Sequence, residues 1–205
     1  KCVLHHSRKN GVPGEGLATA ELMFIGEGPG FYDNEQGRPF VGQAGKFLDE
    51  LLKEAGYQRE QVFIANVVKC RPPGNRDPLP EELAACAEFL DRQIEVINPR
   101  VIVTLGRISM GKFLFGARIS EIHGKPVWVK ERLIVPMYHP AAALHQPSLK
   151  GTVIEDFQKL PAVIDQARKS NRTVMPHIQE NKPGYEPPVG HITPTEEPPE
   201  QLSLF

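Results

Sequence analysis

Three segments of the sequence place groups capable of chemistry directly after apolar runs. The glycine turn GEGPG follows the run ELMFI, Asn66 interrupts the run VFIANVV, and His139 precedes Pro140 after the run LIVPM. Glycines in a tight turn let backbone amides approach a ligand, an asparagine amide matches the edge of an imide ring, and an imidazole can donate to a developing oxyanion. Each residue type also has a structural reading, as a plain turn, an amide that joins loops, or a surface histidine.

The connection after the glycine turn holds an acid and an aromatic residue. Asp33 comes first, and the segment GRPFVG then carries Phe40 between Pro39 and Val41. Proline limits the freedom of the backbone here, which suits a rigid platform on which a planar ring stacks. Packing of Phe40 in the core is the alternative.

The cysteines indicate a metal site. Cys70 and Cys86 are separated by 15 residues, and Cys2 stands near the start of the chain, where a partner three residues earlier would complete a CxxC pair. Four thiolates would suit an iron–sulfur cluster or a zinc ion. Buried free thiols remain the alternative.

The loop between Cys70 and Cys86 begins with basic residues. Arg71 and Arg76 lie in this loop, after Lys69. Basic loops at the rim of a pocket that reads a base edge would contact phosphates, whereas a solvated charged surface is the usual alternative.

The order of elements explains how these groups could meet. The spacing of apolar residues predicts strands at 21–25, 62–68, 101–105 and 133–137, and helices at 44–55, 80–97, 108–115 and 152–168. Alternation of this kind is typical of α/β proteins with a mainly parallel sheet, in which ligands bind at the carboxyl ends of the strands. We therefore expect the turn, Asn66 and His139 to lie at one rim. Pro136 favours an edge position or an early end for the last strand.

Composition sets the outer limits. The 205 residues are 40% hydrophobic and 24% charged with a formal net charge of −1, which predicts one globular domain. No apolar run is long enough to span a membrane, no signal sequence is evident, and three cysteines do not make a disulfide scaffold, so a cytoplasmic location is expected. Because the first residue is Lys rather than Met, we expect the natural chain to begin further upstream.

The end of the chain differs from the rest. Residues 176–205 hold seven of the 20 prolines and five acids against one lysine. A segment so acidic and so poor in apolar residues does not fold by itself. We predict a domain at 1–170 and a flexible acidic, proline-rich tail at 171–205.

Taken together, the motifs resemble those of the iron–sulfur uracil-DNA glycosylases, family 4 of that superfamily. The matching stretches span the chain from Cys2 to about Leu144: GEGPG at 26–30, GRPFVG at 37–42, NVVKCRPP at 66–73, Cys70 with Cys86, and HPAAAL at 139–144. The resemblance implies a three-layer α/β/α sandwich with a four-stranded, mainly parallel sheet. It also implies a monofunctional DNA repair hydrolase of base excision repair, which flips uracil out of DNA and hydrolyses its N-glycosidic bond.

The resemblance also implies roles for individual residues. Asp33 would handle the attacking water, and Glu27 and the Gly28 amide would belong to the same pocket. Phe40 would stack on the flipped uracil, Asn66 would read its edge, and His139 would stabilise the departing anion. Cys2, Cys70 and Cys86 would hold a [4Fe-4S] cluster together with a fourth cysteine, which is expected upstream of Lys1.

Some features depart from the family pattern. The residues after Pro140 are small, which leaves Leu144 as the expected wedge into the DNA stack, with Arg71 and Arg76 as further DNA contacts. The loop at 71–85 contains no histidine. A related branch that becomes covalently trapped on uracil DNA looks to need one there, so we expect ordinary turnover for this chain. Two alternatives stay open: a non-catalytic protein that binds uracil or damaged DNA, and a nucleotide-binding α/β enzyme.

The last five residues, QLSLF, resemble the peptide by which bacterial repair proteins bind the sliding clamp. In that motif the glutamine makes polar contacts and the leucine and phenylalanine side chains fill an apolar pocket. We therefore expect Gln201, Leu202, Leu204 and Phe205 to bind the clamp. Uracil-containing DNA and the clamp are the expected partners of a monomer that does not bind membranes.

Overall fold

The sheet at the centre of the molecule has four parallel strands with a short antiparallel strand at each edge. The computed structural model describes residues 2–170, and the strand order is β1-β3-β2-β4-β6-β5. β2, β3, β4 and β6 run parallel, whereas β1 and β5 pair antiparallel with β3 and β6. The strands are β1 Glu15–Gly16, β2 Leu22–Gly26, β3 Phe63–Asn66, β4 Val101–Leu105, β5 Val127–Val129 and β6 Arg132–Met137.

Helices cover both faces of this sheet. All five residues of β2 and all five of β4 are buried, as expected for parallel strands with helices on either side. The helices are α1 Phe31–Gln36, α2 Gln43–Glu54, α3 Pro80–Ile97, α4 Arg107–Gly111, α5 Ile119–Ile122, α6 Pro140–His145, α7 Lys150–Gln158 and α8 Leu160–Lys169.

Two apolar cores lie on opposite faces of the sheet, and they give the three layers. On one face, side chains of α2, α7 and α8 pack against Phe24 and Val103, with Phe157 stacked on Phe24 at 5.8 Å between ring centroids. On the other face, Leu90 of α3 packs against Ile25 and Ile102. The predicted α/β/α sandwich is confirmed, and the four predicted strands are the four parallel ones.

The edges and the carboxyl end of the domain differ from the prediction in detail. β1 and β5 have only two and three residues, too few for an apolar run. The helix predicted at 152–168 is two helices, separated at Lys159.

The position of Pro136 differs from the expected edge. β6 lies inside the sheet, but β5 pairs only as far as Ile134. The carbonyl of Pro136 accepts a hydrogen bond from Gly124 N on that outer side. Because the nitrogen and carbonyl of one strand residue point the same way, the missing N–H of Pro136 costs no sheet hydrogen bond.

The sheet brings the predicted functional segments to one rim. Gly26 and Asn66 are the last residues of β2 and β3 and pair with one another, and His139 follows the end of β6 by two residues. Within residues 2–170, no helix has the length and apolar character needed to cross a membrane.

Candidate active site

A cavity of about 560 Å³ opens at the carboxyl ends of the parallel strands. Its walls come from the glycine turn with α1, the segment that leads into α2, the loop after Cys70, and the start of α6. The lining includes six residues that the sequence analysis selected: Glu27, Gly28, Asp33, Phe40, Arg76 and His139. Residues up to 112 positions apart in the sequence therefore share one pocket.

Asn66 lies next to the Phe40 ring rather than among the residues that line the cavity. It is 1% exposed, and within the described residues neither its Oδ1 nor its Nδ2 has a partner. A Cβ at Gly26 would lie 2.4 Å from Asn66 Oδ1 and 2.6 Å from Phe40 Cζ, so the amide and the ring meet across this glycine. A buried amide without a partner carries a desolvation cost of about 1–3 kcal/mol, which a bound ligand can remove.

Phe40 is held in an unusual backbone conformation beside Asn66. Its φ is +51°, in the left-handed region that side chains larger than glycine rarely adopt, and the residue is buried. Gly45 of α2 makes room for it, since a Cβ there would lie 1.8 Å from the Phe40 carbonyl oxygen. The Phe40 and His139 rings are stacked at 5.5 Å between centroids.

Arg59, which the sequence analysis missed, fixes the backbone around Phe40. Its guanidinium donates to the carbonyl oxygens of Pro39 at 2.6 Å and of Phe40 at 3.4 Å. It also pairs with Glu15 at 2.7 Å and Asp49 at 2.9 Å. A basic residue next to a strand gives no signal of these partners, which lie 10 to 44 residues away in the chain.

The geometry fixes the tautomer of His139. As the residue before α6, it accepts a hydrogen bond from Ala141 N through Nδ1 at 3.1 Å. Burial lowers the pKa of His139 to about 4, against a smaller opposite effect of Asp33. The ring is therefore neutral at physiological pH, with its proton on Nε2 as a hydrogen-bond donor.

Asp33 organises the loop around the pocket. Its Oδ2 accepts from Gly30 N at 3.3 Å and from Phe40 N at 3.0 Å, and its Oδ1 accepts from Val41 N at 3.0 Å. An ionised carboxylate has about four acceptor positions. Three are used by backbone groups, and one remains for a further donor such as water.

Glu27 brings a second carboxyl group to the cavity. The group is half-buried, and burial raises the pKa of Glu27, with a further rise from Asp77 and an opposing effect of Arg107. Beside it, a Cβ at Gly28 would lie 2.8 Å from Val68 Cγ2, so only glycine fits this close approach. The site thus combines an aromatic face, an unpartnered amide, a neutral imidazole and two carboxyl groups.

Comparison with known proteins identifies the family of the chain. The family model of the uracil DNA glycosylase superfamily matches residues 13–160. A type-4 uracil-DNA glycosylase of Sulfurisphaera tokodaii is 52% identical over 171 residues, which cover 78% of this chain and 77% of that protein. This chain belongs to the type-4 uracil-DNA glycosylase family.

Other relatives show the same affiliation. The type-4 uracil-DNA glycosylase of Thermotoga maritima is 48% identical over 168 residues, which cover 80% of this chain and 88% of that protein. A type-5 uracil-DNA glycosylase of Thermus thermophilus is 39% identical over 126 residues, which cover 53% and 57% of the two chains. The family predicted from the sequence motifs is confirmed.

Of the three residues predicted to contact DNA, Arg76 lines the pocket, whereas Arg71 and Leu144 are not among its lining residues. Arg71 donates from Nε to Asn75 Oδ1 at 2.7 Å, and Leu144 is exposed on α6. Arg76 forms a two-pronged ion pair with Glu82, with bonds of 2.7 and 2.8 Å. Because Glu82 is buried and also accepts from Leu79 N, Arg76 anchors the start of α3 as well as lining the pocket.

The three cysteines of the chain meet in a second cavity, of about 830 Å³. Arg8 donates to Cys70 Sγ at 3.1 Å, and the Lys69 amide donates to Cys86 Sγ at 3.2 Å. Burial raises the pKa of the Cys86 thiol, and the Lys69 amide opposes this rise. Across residues 2–170, no three His, Cys, Asp or Glu side chains are arranged to hold a metal ion.

Lys69 connects this second cavity with the uracil pocket expected of the family. Its Nζ donates to Asn66 O at 2.8 Å and to Gln93 Oε1 at 2.7 Å, and its side chain is buried. Burial lowers the pKa of Lys69 to about 8, although Cys86 acts in the opposite direction. The predicted clamp-binding residues Gln201, Leu202, Leu204 and Phe205 lie outside the described residues, as does the rest of the predicted tail.

Proposed function

We propose that this chain is a monofunctional uracil-DNA glycosylase, which flips uracil out of DNA and hydrolyses its N-glycosidic bond to leave an abasic site. The observation that carries the proposal is Asn66, whose buried amide has no protein partner among the described residues and lies beside the Phe40 ring. Membership of the type-4 family supports the same activity.

Phe40 and Asn66 select the base. The Phe40 ring offers a flat apolar face on which uracil stacks. The Asn66 Oδ1 accepts from N3–H of uracil while its Nδ2 donates to O4, so the two orphaned atoms are satisfied together. Cytosine presents the reverse pattern at these positions, so an amide in the orientation that pairs with uracil would leave both of its atoms unpaired.

His139 and Asp33 act on the charges that develop as the bond breaks. The electron pair of the C1′–N1 bond leaves with uracil, so the base becomes an anion and the sugar becomes cationic. The neutral His139 donates from Nε2 to the O2 oxygen of the anion. Asp33 stabilises the sugar cation, orients the water whose oxygen adds to C1′ and accepts the proton that this water loses, and Glu27 and the Gly28 amide complete the pocket.

DNA is held at the rim by Arg71, Arg76 and Leu144. The arginines contribute positive charge near the phosphates, and the exposed Leu144 fills the space that the flipped base leaves. Base flipping itself costs roughly a few kcal/mol, and least at a mispaired base such as uracil opposite guanine.

Cys2, Cys70 and Cys86 would hold a [4Fe-4S] cluster with a fourth cysteine that is not among the 205 residues. The donor set fits, because three thiols line one cavity and N–H groups already point at two of the sulfurs. In a cluster each thiolate binds a different iron, so the sulfurs need not converge on one ion. The cluster would supply a structural link that fixes the basic loop between Cys70 and Cys86.

The cluster has a test that does not depend on activity. Protein purified without oxygen should be brown and absorb in the visible range, and Cys70→Ala or Cys86→Ala should abolish the colour. The same variants should weaken stability and DNA binding more than the chemical step. Colourless wild-type protein with no bound iron would contradict this part of the proposal.

We also propose that the chain acts as a cytoplasmic monomer and that its last residues bind the bacterial sliding clamp. Gln201 would make polar contacts, and Leu202, Leu204 and Phe205 would fill an apolar pocket. Binding by a terminal peptide raises the local concentration of the enzyme at newly made DNA. Titration of the clamp with the intact chain and with a chain that ends at Glu200 tests this, and equal affinity for both would contradict it.

The activity is tested with an oligonucleotide that contains one uracil. The wild-type chain should release uracil with many turnovers, whereas Asn66→Ala and His139→Ala should each be slower by about two orders of magnitude or more while still folded. His6→Ala changes an exposed histidine outside the pocket and serves as the control. Tight binding of uracil DNA without turnover would instead identify a non-catalytic damage-binding protein.

A further inference from the structure

Two large aromatic side chains lie exposed at the mouth of the pocket. Phe31 and Tyr32 are 50% and 57% exposed, although both line the cavity that also contains Phe40 and His139. They are the first two residues of α1 and directly follow the glycine turn. Exposed aromatic side chains beside a pocket often mark a binding surface, because contact with water does not stabilise their apolar area and contact with a ligand does.

The pair is ordered by its neighbours rather than by burial. The two rings meet edge to face, with centroids 5.4 Å apart and an angle of 87° between planes. Tyr32 lies against the backbone of Gly42, where a Cβ would be 3.4 Å from Tyr32 Cδ2. The aromatic surface is therefore positioned before anything binds.

Arg71 adds a positive charge to this surface. Its guanidinium lies 5.2 Å from the centre of the Phe31 ring. Its Nε is bonded to Asn75, and within residues 2–170 its terminal nitrogens make no hydrogen bond. A stacking surface next to an available guanidinium matches a nucleotide, in which a flat base is linked to a phosphate.

We infer that Phe31 and Tyr32 form a stacking site for the nucleobase next to the flipped uracil on the same strand, with Arg71 on the adjoining phosphate. The inference rests on the proposed function and adds a binding site for the nucleotide next to the uracil. Uracil that enters the pocket leaves its neighbour without a stacking partner on one side. The aromatic pair, continuous with the pocket wall, replaces that partner, and it does so for any base because every base has a flat face.

The experiment compares oligonucleotides that differ only beside the uracil. Single strands carry a normal base on both sides, or a tetrahydrofuran abasic unit on the 5′ side or on the 3′ side. Dissociation constants are measured by fluorescence anisotropy, and kcat/KM is measured for uracil release. The proteins are wild type, Phe31→Ala, Tyr32→Ala and the double variant. Phe115→Ala is the control, because Phe115 is 100% exposed and lines a different cavity.

For wild type, loss of the base on one of the two sides should weaken binding and lower kcat/KM by about 5- to 150-fold. The double variant should bind the normal strand weakly by a similar factor and should no longer respond to the abasic unit. Tyr32→Phe retains the aromatic ring and should respond to the abasic unit as wild type does. Phe115→Ala should also behave like wild type.

The inference is overturned if wild type ignores the abasic unit on both sides, or if the double variant keeps the full response. A wild-type chain that binds these strands with the expected pattern but releases no uracil would overturn the proposed activity and leave the stacking site supported. Normal uracil release that does not depend on the neighbouring base would support the proposed activity and overturn the stacking site.

Discussion

Replacement of Asn66 by leucine should make the protein more stable and nearly inactive. Leucine has the same branching and number of side-chain heavy atoms as asparagine, with methyl groups somewhat larger than the oxygen and NH2 that they replace, so the variant leaves no cavity beside Phe40. It removes two polar atoms that are buried and have no hydrogen-bond partner within the described residues. Most substitutions of buried residues act in the opposite direction, because they break packing or hydrogen bonds.

The size of the effect follows from the cost of leaving a buried polar group unpaired. That cost is about 1–3 kcal/mol, and leucine recovers it without leaving a cavity. For a chain of this length, each kcal/mol corresponds to about 2–4 °C in Tm, so a gain of at least about 2 °C is expected. Uracil release should fall by about 100-fold or more, because the base edge is no longer read.

Thermal unfolding and single-turnover release of uracil measure the two effects on the same preparation. Thr104→Val is the matched control, since its buried hydroxyl also lacks a partner within residues 2–170 and it does not line the pocket. This variant should gain stability and keep its activity. If Thr104→Val gains stability while Asn66→Leu loses more than about 1 kcal/mol, the Asn66 amide has partners in the folded protein. Unchanged release by Asn66→Leu would refute its role in base recognition.

Three further predictions concern the framework of the site. Because the folded-state pKa of His139 is about 4 and that of the unfolded residue is about 6.5, the unfolded chain binds more protons between these values. Stability should therefore fall by on the order of 3 kcal/mol as pH drops from 6.5 to 4, and urea unfolding of His139→Gln should lack this part of the loss. Arg59→Ala removes the hydrogen bonds to the Pro39 and Phe40 carbonyls, so the free energy of unfolding should fall by about 3 kcal/mol. Because the loop is then less well positioned, steady-state kinetics should show a higher KM for uracil DNA. An unchanged KM would disprove the positioning role. Gly45→Ala places a methyl group on the Phe40 carbonyl and should cost about 3 kcal/mol or more, whereas Gly151→Ala meets nothing and should gain up to about 1 kcal/mol. Equal Tm values for these two variants would contradict the packing argument.

The sequence predicts the layers and the pocket well because both depend on strong local patterns. Apolar runs that end in glycine or polar residues place Gly26 and Asn66 at strand ends, and parallel strands bring their carboxyl ends to one rim. β1 and α1 escape prediction because a two-residue strand and a six-residue helix carry too little periodicity.

The supporting contacts of the site cannot be read from the sequence for a different reason. Arg59 is one of 24 basic residues, and its four partners are brought to it only by the fold. Asp33 was expected to handle water, a role that stays a prediction. Two of its three bonds to backbone N–H groups, those from Phe40 and Val41, depend on the left-handed turn at Phe40, which no residue type indicates.

The segment that runs from Asn66 to Cys70 joins the thiol of Cys86 to the end of β3. Lys69 within it bonds through Nζ to the Asn66 carbonyl and through its amide to Cys86 Sγ. Oxidation of Cys86 beyond the thiol adds oxygen atoms to a buried sulfur, which forces that amide to move. The displacement would reach Asn66 through three peptide units. Because the thiol is buried and its pKa is raised, little thiolate is available to oxidants, so the same burial protects this link.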